Sequence, residues 1–227
     1  MNPFEALDHL KKSLSANQEL SQTFNSVLLI FQNELSNLVP KELFDENQLA
    51  DYLKFNSKIL KSDFISTDEI TINDSMNVYV PYMNINNFVF DTFGVFEYKH
   101  ASTILIDTLL QERKTSDDAL AYLNINHQNF ELIVIKDEKL LLYNSFEFST
   151  KEDVIYYLLF TIEQLHLSPE TIKLILMGAI EKDDSIFNII YTYVRYIEFY
   201  APNYKFDFDE SVKPIHQHHN AIILNSF

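Results

Sequence analysis

The sequence contains no cysteine and only two glycines, and each shortage removes a class of functional site. Without cysteine the chain forms neither disulfides nor thiolate metal sites, and nothing in it indicates an oxidising compartment. Phosphate-binding loops use glycine because its backbone reaches positive φ and lets a phosphate approach the N–H groups. Gly94 and Gly178 stand alone, so neither the GxGxxG nor the GxxxxGK[ST] loop is present.

Long apolar runs and positive charge are also scarce. No stretch of about 18 apolar residues occurs, and the first residues, MNPFEALDHL, do not resemble a signal peptide. We therefore expect a cytoplasmic protein with no membrane span. The 33 acidic residues outnumber the 17 basic ones, which gives a formal charge of −16. Because a negative field repels phosphate backbones and anionic lipids, we expect no nucleic-acid partner.

Hydrophobic residues occupy 47% of the 227 positions. This is enough to form one large hydrophobic core or two small ones. The residues Asn2-Pro3-Phe4-Glu5 predict a capped helix start. One face of this first helix is predicted to carry Phe4, Leu7, Leu10 and Leu14. The rest of the first half is predicted to contain strands at 26–33, 76–83 and 96–100. Its other predicted helices lie at 45–53, from Ile85 to Phe93 before Gly94, and from Ser102 to Arg113.

The second half shows a clearer order. Its predicted elements are three hairpin-connected strands at 121–126, 130–135 and 139–148, a helix begun by a capping box at 149–152, an apolar strand at 171–180, a helix from Asp184 to Pro202, and late strands in NYKFDFD and AIILNSF. The order β-β-β-α-β-α-β is that of ribonuclease H-like units, and two such units in tandem make the actin-like ATPase architecture. We therefore predict an α/β protein with mixed sheets, whose lobes at 1–115 and 116–227 meet near the polar stretch KTSDDA at 114–119.

Several blocks, taken in order, resemble the domain-of-unknown-function family 3822 of bacterial proteins: NELSNLVPKELFDENQLADYLKFNSKILKSDFI, MNVYVPYMNINNFVFDTFG, FEYKHASTILI, KLLLYNSFEFSTKEDVIYYLLFTIEQL and LILMGAI. The resemblance implies an actin-like ATPase fold of two ribonuclease H-like halves, without an established activity. Members of the family usually begin with a strand meander ahead of the NPFEAL helix. We therefore expect the first lobe to lack its opening strands.

The resemblance also implies where a nucleotide site would lie. Actin-like proteins bind ATP between their halves, with a hairpin Asp for the metal and a Gly two residues later beside the phosphate. The matching positions here are Asn124 and Asn126. Gly178 is the one glycine kept where an adenosine loop usually has a pair, and a tight strand-to-helix turn is the preferred explanation for it. Asn124 lacks the charge that Mg²⁺ requires, and Asn126 has a side chain where the phosphate would lie. We expect a relic of an ATPase, with no cofactor and no catalytic residue.

Other constellations give weaker signals. A nuclease of the ribonuclease H type needs clustered carboxylates that bind two metal ions. The first of these acids would fall at position 124, where this chain has Asn124. Asp153 is better explained as an acid in the first turn of a helix, where it interacts favourably with the helix dipole. If the segment PIHQHHN at 214–220 formed a strand, His216 and His218 would lie on the same face and could bind a metal ion. No carboxylate lies at helical spacing from them, so we predict a surface loop or strand without a metal. The pair His100 and Ser102 reads as structural.

The aromatic residues, 19 Phe and 13 Tyr, leave two interpretations open. Tyr191, Tyr193, Tyr196 and Tyr200 are predicted to surround one helix, so some lie off its buried face. Exposed tyrosines favour protein interfaces, while partly buried ones complete a core. We predict a non-catalytic binding or scaffold protein that uses a protein partner or self-associates, as in a homodimer. The alternative is an ATP-binding switch with a non-standard site.

Overall fold

Residues 2–112, 118–202, 204, 206, 208 and 216–226 are described by a computed structural model, and their contacts divide the chain into two units, Met1–Ile104 and Leu105–Phe227. Most of the predicted boundary at 114–119 lies outside the described residues. The lobes at 1–115 and 116–227 therefore stay a prediction. None of the helices in the described ranges has the length and apolar character needed to cross a bilayer.

A five-stranded mixed sheet organises the second unit, in the order β10-β9-β6-β7-β8. Its strands are β6 (Leu120–Ile125), β7 (Asn129–Lys136), β8 (Lys139–Glu147), β9 (Lys173–Gly178) and β10 (Tyr196–Phe199). The first three form an antiparallel meander, and β9 pairs parallel with both β6 and β10. The predicted meander and the apolar parallel strand beside it are both confirmed.

The β7–β8 turn is closed without glycine. Asp137 and Glu138 both have positive φ, 51° and 61°, as the tight two-residue hairpin turn requires. A bulge between Val134 and Ile135 shifts the pairing of the two strands next to this turn. The shift matters because strand register decides which side chains share a face of the sheet.

Two helices bury one face of the sheet. They are α5 (Lys151–Gln164) and α6 (Ser185–Tyr193), which pack on alternate residues of the strands. The α5 residues predicted to face inward do so; Val154, Ile155, Leu158 and Ile162 are buried and Leu165 is partly buried. Burying one such side chain contributes about 1.5–3 kcal/mol. The capping box lies one residue later than predicted, between Thr150 and Asp153.

The end of the chain differs from the sequence expectation. The helix from Asp184 ends at Tyr193, and Tyr196–Phe199 forms the edge strand β10 where a continued helix was predicted. Ile197 lies at helical spacing from the earlier apolar residues, which is why a longer helix was predicted. In the structure, parallel pairing with β9 provides the hydrogen-bond partners of this backbone segment. The predicted strand AIILNSF is wrong, because Ala221–Leu224 forms the short helix α7. Most of NYKFDFD lies outside the described residues.

The first unit contains two small sheets within its described residues. Its elements are α1 (Pro3–Ala16), β1 (Leu28–Phe31), β2 (Ser36–Pro40), α2 (Leu49–Leu53), β3 (Ser66–Ile70), β4 (Ser75–Tyr79), α3 (Met83–Phe93), β5 (Glu97–His100) and the start of α4 (Ala101–Glu112). Strands β1 and β5 pair parallel, and β4 lies between β2 and β3 in an antiparallel sheet. The Asn2–Glu5 capping box and the stop at Gly94 are confirmed.

Two separate apolar clusters lie among the described residues of the first unit. One joins Phe31, Tyr79, Ile85 and Val89 to partly buried residues of α1, including Leu7 and Leu10. The other gathers Val39, Leu53, Val78 and Val80 between α2 and the antiparallel sheet. Phe4 does not join the inward face of α1 as predicted, because its side chain is 76% exposed.

Candidate functional site

Asn124 lies near the end of β6, where the sequence predicted a remnant of the nucleotide site. Its direct partner across the antiparallel pair is Glu131 of β7. The Asn124 amide Nδ2 donates a hydrogen bond of 2.7 Å to Glu131 Oε2, and the Tyr143 hydroxyl donates one of 2.7 Å to Glu131 Oε1. The three side chains therefore form one hydrogen-bonded group around a buried carboxyl.

Glu131 is the residue that sequence reasoning missed. Its side chain is only 3% exposed, and burial raises the pKa of this carboxyl, partly offset by the hydrogen bonds from Tyr143 and Asn124. A buried acid is costly unless its oxygens accept hydrogen bonds, and here both do. The available signal was the single acid inside the otherwise apolar run FELIVI.

Gly178 ends β9 directly opposite Ile125 of β6. Its φ is +81°, and a Cβ added there would lie 2.2 Å from the Ile125 carbonyl oxygen and 2.6 Å from Asn124 Oδ1. Only glycine fits this position, because both the backbone conformation and the contact exclude a side chain. The structure thus brings two of the predicted site residues, Asn124 and Gly178, into close contact.

The backbone donors around Gly178 are engaged within the second unit. The Gly178 N–H donates to the His218 carbonyl at 2.9 Å, and the Ala179 N–H donates to the Ile125 carbonyl at 2.8 Å. The Ile180 N–H donates back to the Gly178 carbonyl at 3.0 Å. A phosphate at this position would have to displace these bonds, since backbone N–H groups are what a phosphate loop offers its ligand.

Asn126 follows the end of β6, and its backbone N–H closes the β6–β7 hairpin by donating to the Asn129 carbonyl at 2.9 Å. Its side-chain amide lies close enough to Glu131 to favour the ionised carboxylate. Even so, Asn126 Nδ2 is buried and makes no hydrogen bond to any residue that the structure describes. The roles predicted for Asn124, Asn126 and Gly178 as degenerate nucleotide-site positions stay a prediction.

The histidines at 216–219 lie in a turn before α7, as a surface segment rather than a strand. The tertiary structure supplies the carboxylate that local spacing lacked. Glu181, just after β9, places Oε2 3.2 Å from His216 Nδ1 and Oε1 3.0 Å from His219 Nε2. His218 is buried against Phe199, with ring centroids 4.5 Å apart, and burial lowers the pKa of its imidazole.

The first unit buries a second polar group, centred on Asp68 of β3. Its carboxylate accepts hydrogen bonds from the Tyr79 hydroxyl at 3.0 Å, from the Thr103 hydroxyl at 2.8 Å and from the His100 backbone N–H at 2.8 Å. Burial raises the pKa of Asp68, and these three donors partly offset that effect. The bonds tie β3, β4 and β5 to the start of α4.

His100 and Ser102 are in contact, but their surroundings indicate a structural role rather than a catalytic one. Ser102 Oγ lies 2.7 Å from His100 Nδ1, and His100 Nε2 lies 3.1 Å from the Asn33 carbonyl, to which it donates. Ser102 is fully buried, and Asp68 contacts the backbone of His100 rather than its ring. A nucleophile needs access to substrate, which this serine lacks.

Exposed aromatic rings are concentrated on α5 and α6 in the second unit. Tyr156 and Phe160 of α5 stack with ring centroids 6.0 Å apart, and Tyr191 of α6 stacks on Phe187 at 5.9 Å. Tyr156, Phe160 and Tyr191 are 61%, 49% and 68% exposed. The predicted ring of four tyrosines around one helix is wrong for its last two members: Tyr196 lies on β10, and Tyr200 follows that strand and is buried.

Comparisons with known proteins give a family and a fold. Residues 1–197 match the sequence profile of a family described as "Protein of unknown function (DUF3822)". No curated protein matches the chain significantly.

Among the solved structures that resemble the chain, two illustrate the fold. A Bacteroides thetaiotaomicron protein, described as having an actin-like ATPase fold and unknown function, superposes with a TM-score of 0.78 at 21% identity, over 86% of this chain and 76% of that one. A chain from a PilM–PilN type IV pilus biogenesis complex gives a TM-score of 0.50 at 14% identity, over 86% and 74%. The predicted α/β fold of the actin-like ATPase type is confirmed.

The close approach at Gly178 leads to a stability prediction. We expect Gly178→Ala to destabilise the protein by more than the roughly 1–2 kcal/mol of a left-handed non-glycine residue, because the new Cβ also collides with the Ile125 carbonyl. Gly94→Ala is the matched control, since Gly94 has a φ of +82° but no atom within 4 Å of an added Cβ. Urea unfolding measures both variants. Equal losses of stability would contradict the collision.

The buried imidazole of His100 leads to a prediction about pH. Burial lowers its pKa from 6.5 to about 4, so between these values the unfolded chain binds a proton that the folded chain does not. Stability should therefore fall as the pH drops from 6.5 to 4, by about 3 kcal/mol at 1.36 kcal/mol per pKa unit. Urea unfolding of the protein and of His100→Gln isolates this contribution, because Asp68 is present in both. Identical pH dependence in the two proteins would disprove it.

Proposed function

The chain belongs to the DUF3822 family of proteins of unknown function, and from that premise we propose that it is a non-catalytic protein-binding module with an actin-like ATPase fold. It acts in the cytoplasm through a protein partner or a second copy of itself. The observation that carries this proposal is the hydrogen bonding at the ends of β6 and β9. There the backbone donors at Gly178 and Ala179 and the Asn124 amide are all bonded within the second unit.

The side chains at these strand ends are also unsuited to magnesium chemistry. Mg²⁺ in nucleotide sites is held by one or two carboxylates together with the phosphates, and Asn124 offers only a neutral amide. Glu131 supplies a carboxyl on the same face, but its two oxygens are occupied by Asn124 and Tyr143. Any phosphate here would meet an acid already buried in the sheet, in a chain of net charge −16.

The exposed rings of α5 and α6 support a protein-binding role. Tyrosine and phenylalanine supply large contact area at low entropic cost, and they are enriched where proteins bind one another. Tyr156 and Phe160 on α5 and Tyr191 on α6 are such exposed rings, and we call these three side chains the aromatic face. A structural neighbour comes from a PilM–PilN complex, so this fold is compatible with partner binding.

One observation favours a second candidate function, an ATP-binding switch with a non-standard site. Asn126 Nδ2, two positions after Asn124, is a buried donor beside the Glu131 carboxylate that does not reach the geometry of a full hydrogen bond with any described residue. An unsatisfied buried amide costs about 1–3 kcal/mol, which a ligand acceptor would recover. This function requires the Gly178 N–H to exchange its bond to His218 for one to a phosphate.

Calorimetry with MgATP distinguishes the two functions. We expect no heat of binding and no rise in melting temperature at millimolar MgATP, because a ligand stabilises only a folded state that binds it. A dissociation constant in the micromolar range would overturn the proposal. Asn126→Ala should then abolish that binding, whereas Asn144→Ala, an exposed asparagine on β8, should leave it unchanged.

Site-specific photo-crosslinking tests the aromatic face. A benzoylphenylalanine introduced at Tyr156 or Tyr191 should give one discrete crosslinked species in cells, either with a partner or with a second copy of the chain. The same probe at Phe55, which is 92% exposed in the first unit, serves as the matched aromatic control and should give none. If all three positions crosslink alike, or none does, the aromatic face is not the binding surface.

A further inference from the structure

Glu181 and the adjacent residues His218 and His219 are far apart in the sequence but converge just beyond β9. One possible ligand atom from each of Glu181, His218 and His219 lies within 4.8 Å of the others, and His216 Nδ1 lies 3.2 Å from the same Glu181 carboxylate. In a tetrahedral zinc site with bonds of about 2.0–2.1 Å, neighbouring ligand atoms are about 3.3 Å apart. The Glu181–His219 distance of 3.0 Å and the Glu181–His216 distance are already close to that spacing.

His218 makes the second ring hydrogen bond that metal-binding histidines commonly make. Its Nε2 lies 2.8 Å from the Ile180 carbonyl, to which it donates, so Nδ1 carries the free lone pair. Metal-ligating histidines commonly donate their other ring N–H to a backbone carbonyl or carboxylate, which fixes the tautomer and the ring. The packing of the His218 ring on Phe199 further restricts its rotation.

His219 provides an independent observation. Its Nε2 is buried and 3.0 Å from Glu181 Oε1, yet it forms no hydrogen bond to any residue in the described ranges. Buried ring nitrogens are nearly always hydrogen-bonded. This nitrogen faces the Glu181 carboxylate at ion-pair distance but lacks the geometry of a hydrogen bond. A cation between the two groups would accept the lone pairs of both.

The backbone holds these ligands in place from two segments. The Glu181 N–H donates to Asp184 Oδ2 at 2.8 Å, which fixes the first turn after β9. The His218 carbonyl accepts from the Gly178 N–H at 2.9 Å, and the His219 N–H donates to the His216 carbonyl at 3.2 Å. A site supported in this way is pre-organised, which lowers the entropic cost of binding an ion.

We propose that Glu181, His218 and His219 bind a zinc ion that fastens the turn at 216–220 to the end of β9. Imidazole and carboxylate together suit Zn²⁺, whereas Mg²⁺ and Ca²⁺ prefer oxygen ligands alone. The three ligands come from two segments of the second unit, so the role proposed for the ion is to join these segments. The proposal does not depend on the protein-binding function, because it concerns a different set of side chains.

The competing explanation is a set of ion pairs between the Glu181 carboxylate and the partly exposed imidazoles of His216 and His219. Such pairs contribute about 0–1 kcal/mol and need no ion. The two explanations differ in metal dependence. A zinc site predicts a stoichiometric, selective increase in stability on adding Zn²⁺, while ion pairs alone predict none.

The test titrates chelator-treated protein with ZnCl2 by calorimetry and follows its melting temperature. We expect one ion per chain, a dissociation constant below about 1 µM, and a rise of roughly 5–10 °C at a hundredfold excess over that constant. MgCl2 should give neither effect. His219→Ala should weaken zinc binding by at least about tenfold. His9→Ala is the matched control, since His9 is an exposed histidine on α1, and it should bind as the parent does.

Glu181→Gln keeps the test decisive if His219→Ala fails to fold. The glutamine preserves side-chain shape and the backbone bond to Asp184, so the variant should fold without metal, as circular dichroism will show, yet bind zinc more weakly. The proposal is overturned if zinc does not bind, if it binds at several equivalent sites, or if Glu181→Gln and His219→Ala bind as His9→Ala does. MgATP binding is measured separately, so failure of either proposal leaves the other standing.

Discussion

The contact between Gly178 and β6 is the constraint on which the second unit's functional end depends. The β9 backbone approaches the Ile125 carbonyl and the Asn124 side chain so closely that no Cβ fits. This approach lets the Ala179 N–H bond to Ile125 across the strand pair and turns the Gly178 N–H towards His218. The following residues then leave the sheet in a fixed direction, which sets the position of Glu181.

An acid withdrawn from solvent, half-buried Asp68 in the first unit and buried Glu131 in the second, is satisfied in a similar way in both units. Asp68 in the first unit and Glu131 in the second each accept a hydrogen bond from a tyrosine hydroxyl on a strand of the same sheet. Burial raises the pKa of both carboxyls, and the donors limit that cost. Such networks fix strand register, because a shift of one residue would remove every partner at once.

The histidine turn and the strand ends belong to one connected structure. The His218 carbonyl accepts a hydrogen bond from the Gly178 N–H. The His218 ring donates a hydrogen bond to the carbonyl of Ile180, which lies two residues after Gly178. An ion held by Glu181 and the histidines would strengthen both contacts. The same turn would therefore keep the backbone donors at the end of β9 closed to other ligands.

The sequence by itself determined the local features: the caps of α1 and α5, to within one residue, the three-strand meander and the apolar strand beside it. These follow from short-range periodicity and capping chemistry, which need no distant partner. Periodicity failed at β10 and α7, because short apolar runs fit helix and strand equally well and long-range pairing decides between them.

Only the tertiary structure paired Asn124 with Glu131, since strand register joins them, and only it brought Glu181 to the histidines of a distant turn. Residues with no fixed spacing in the chain meet only after the sheet has formed.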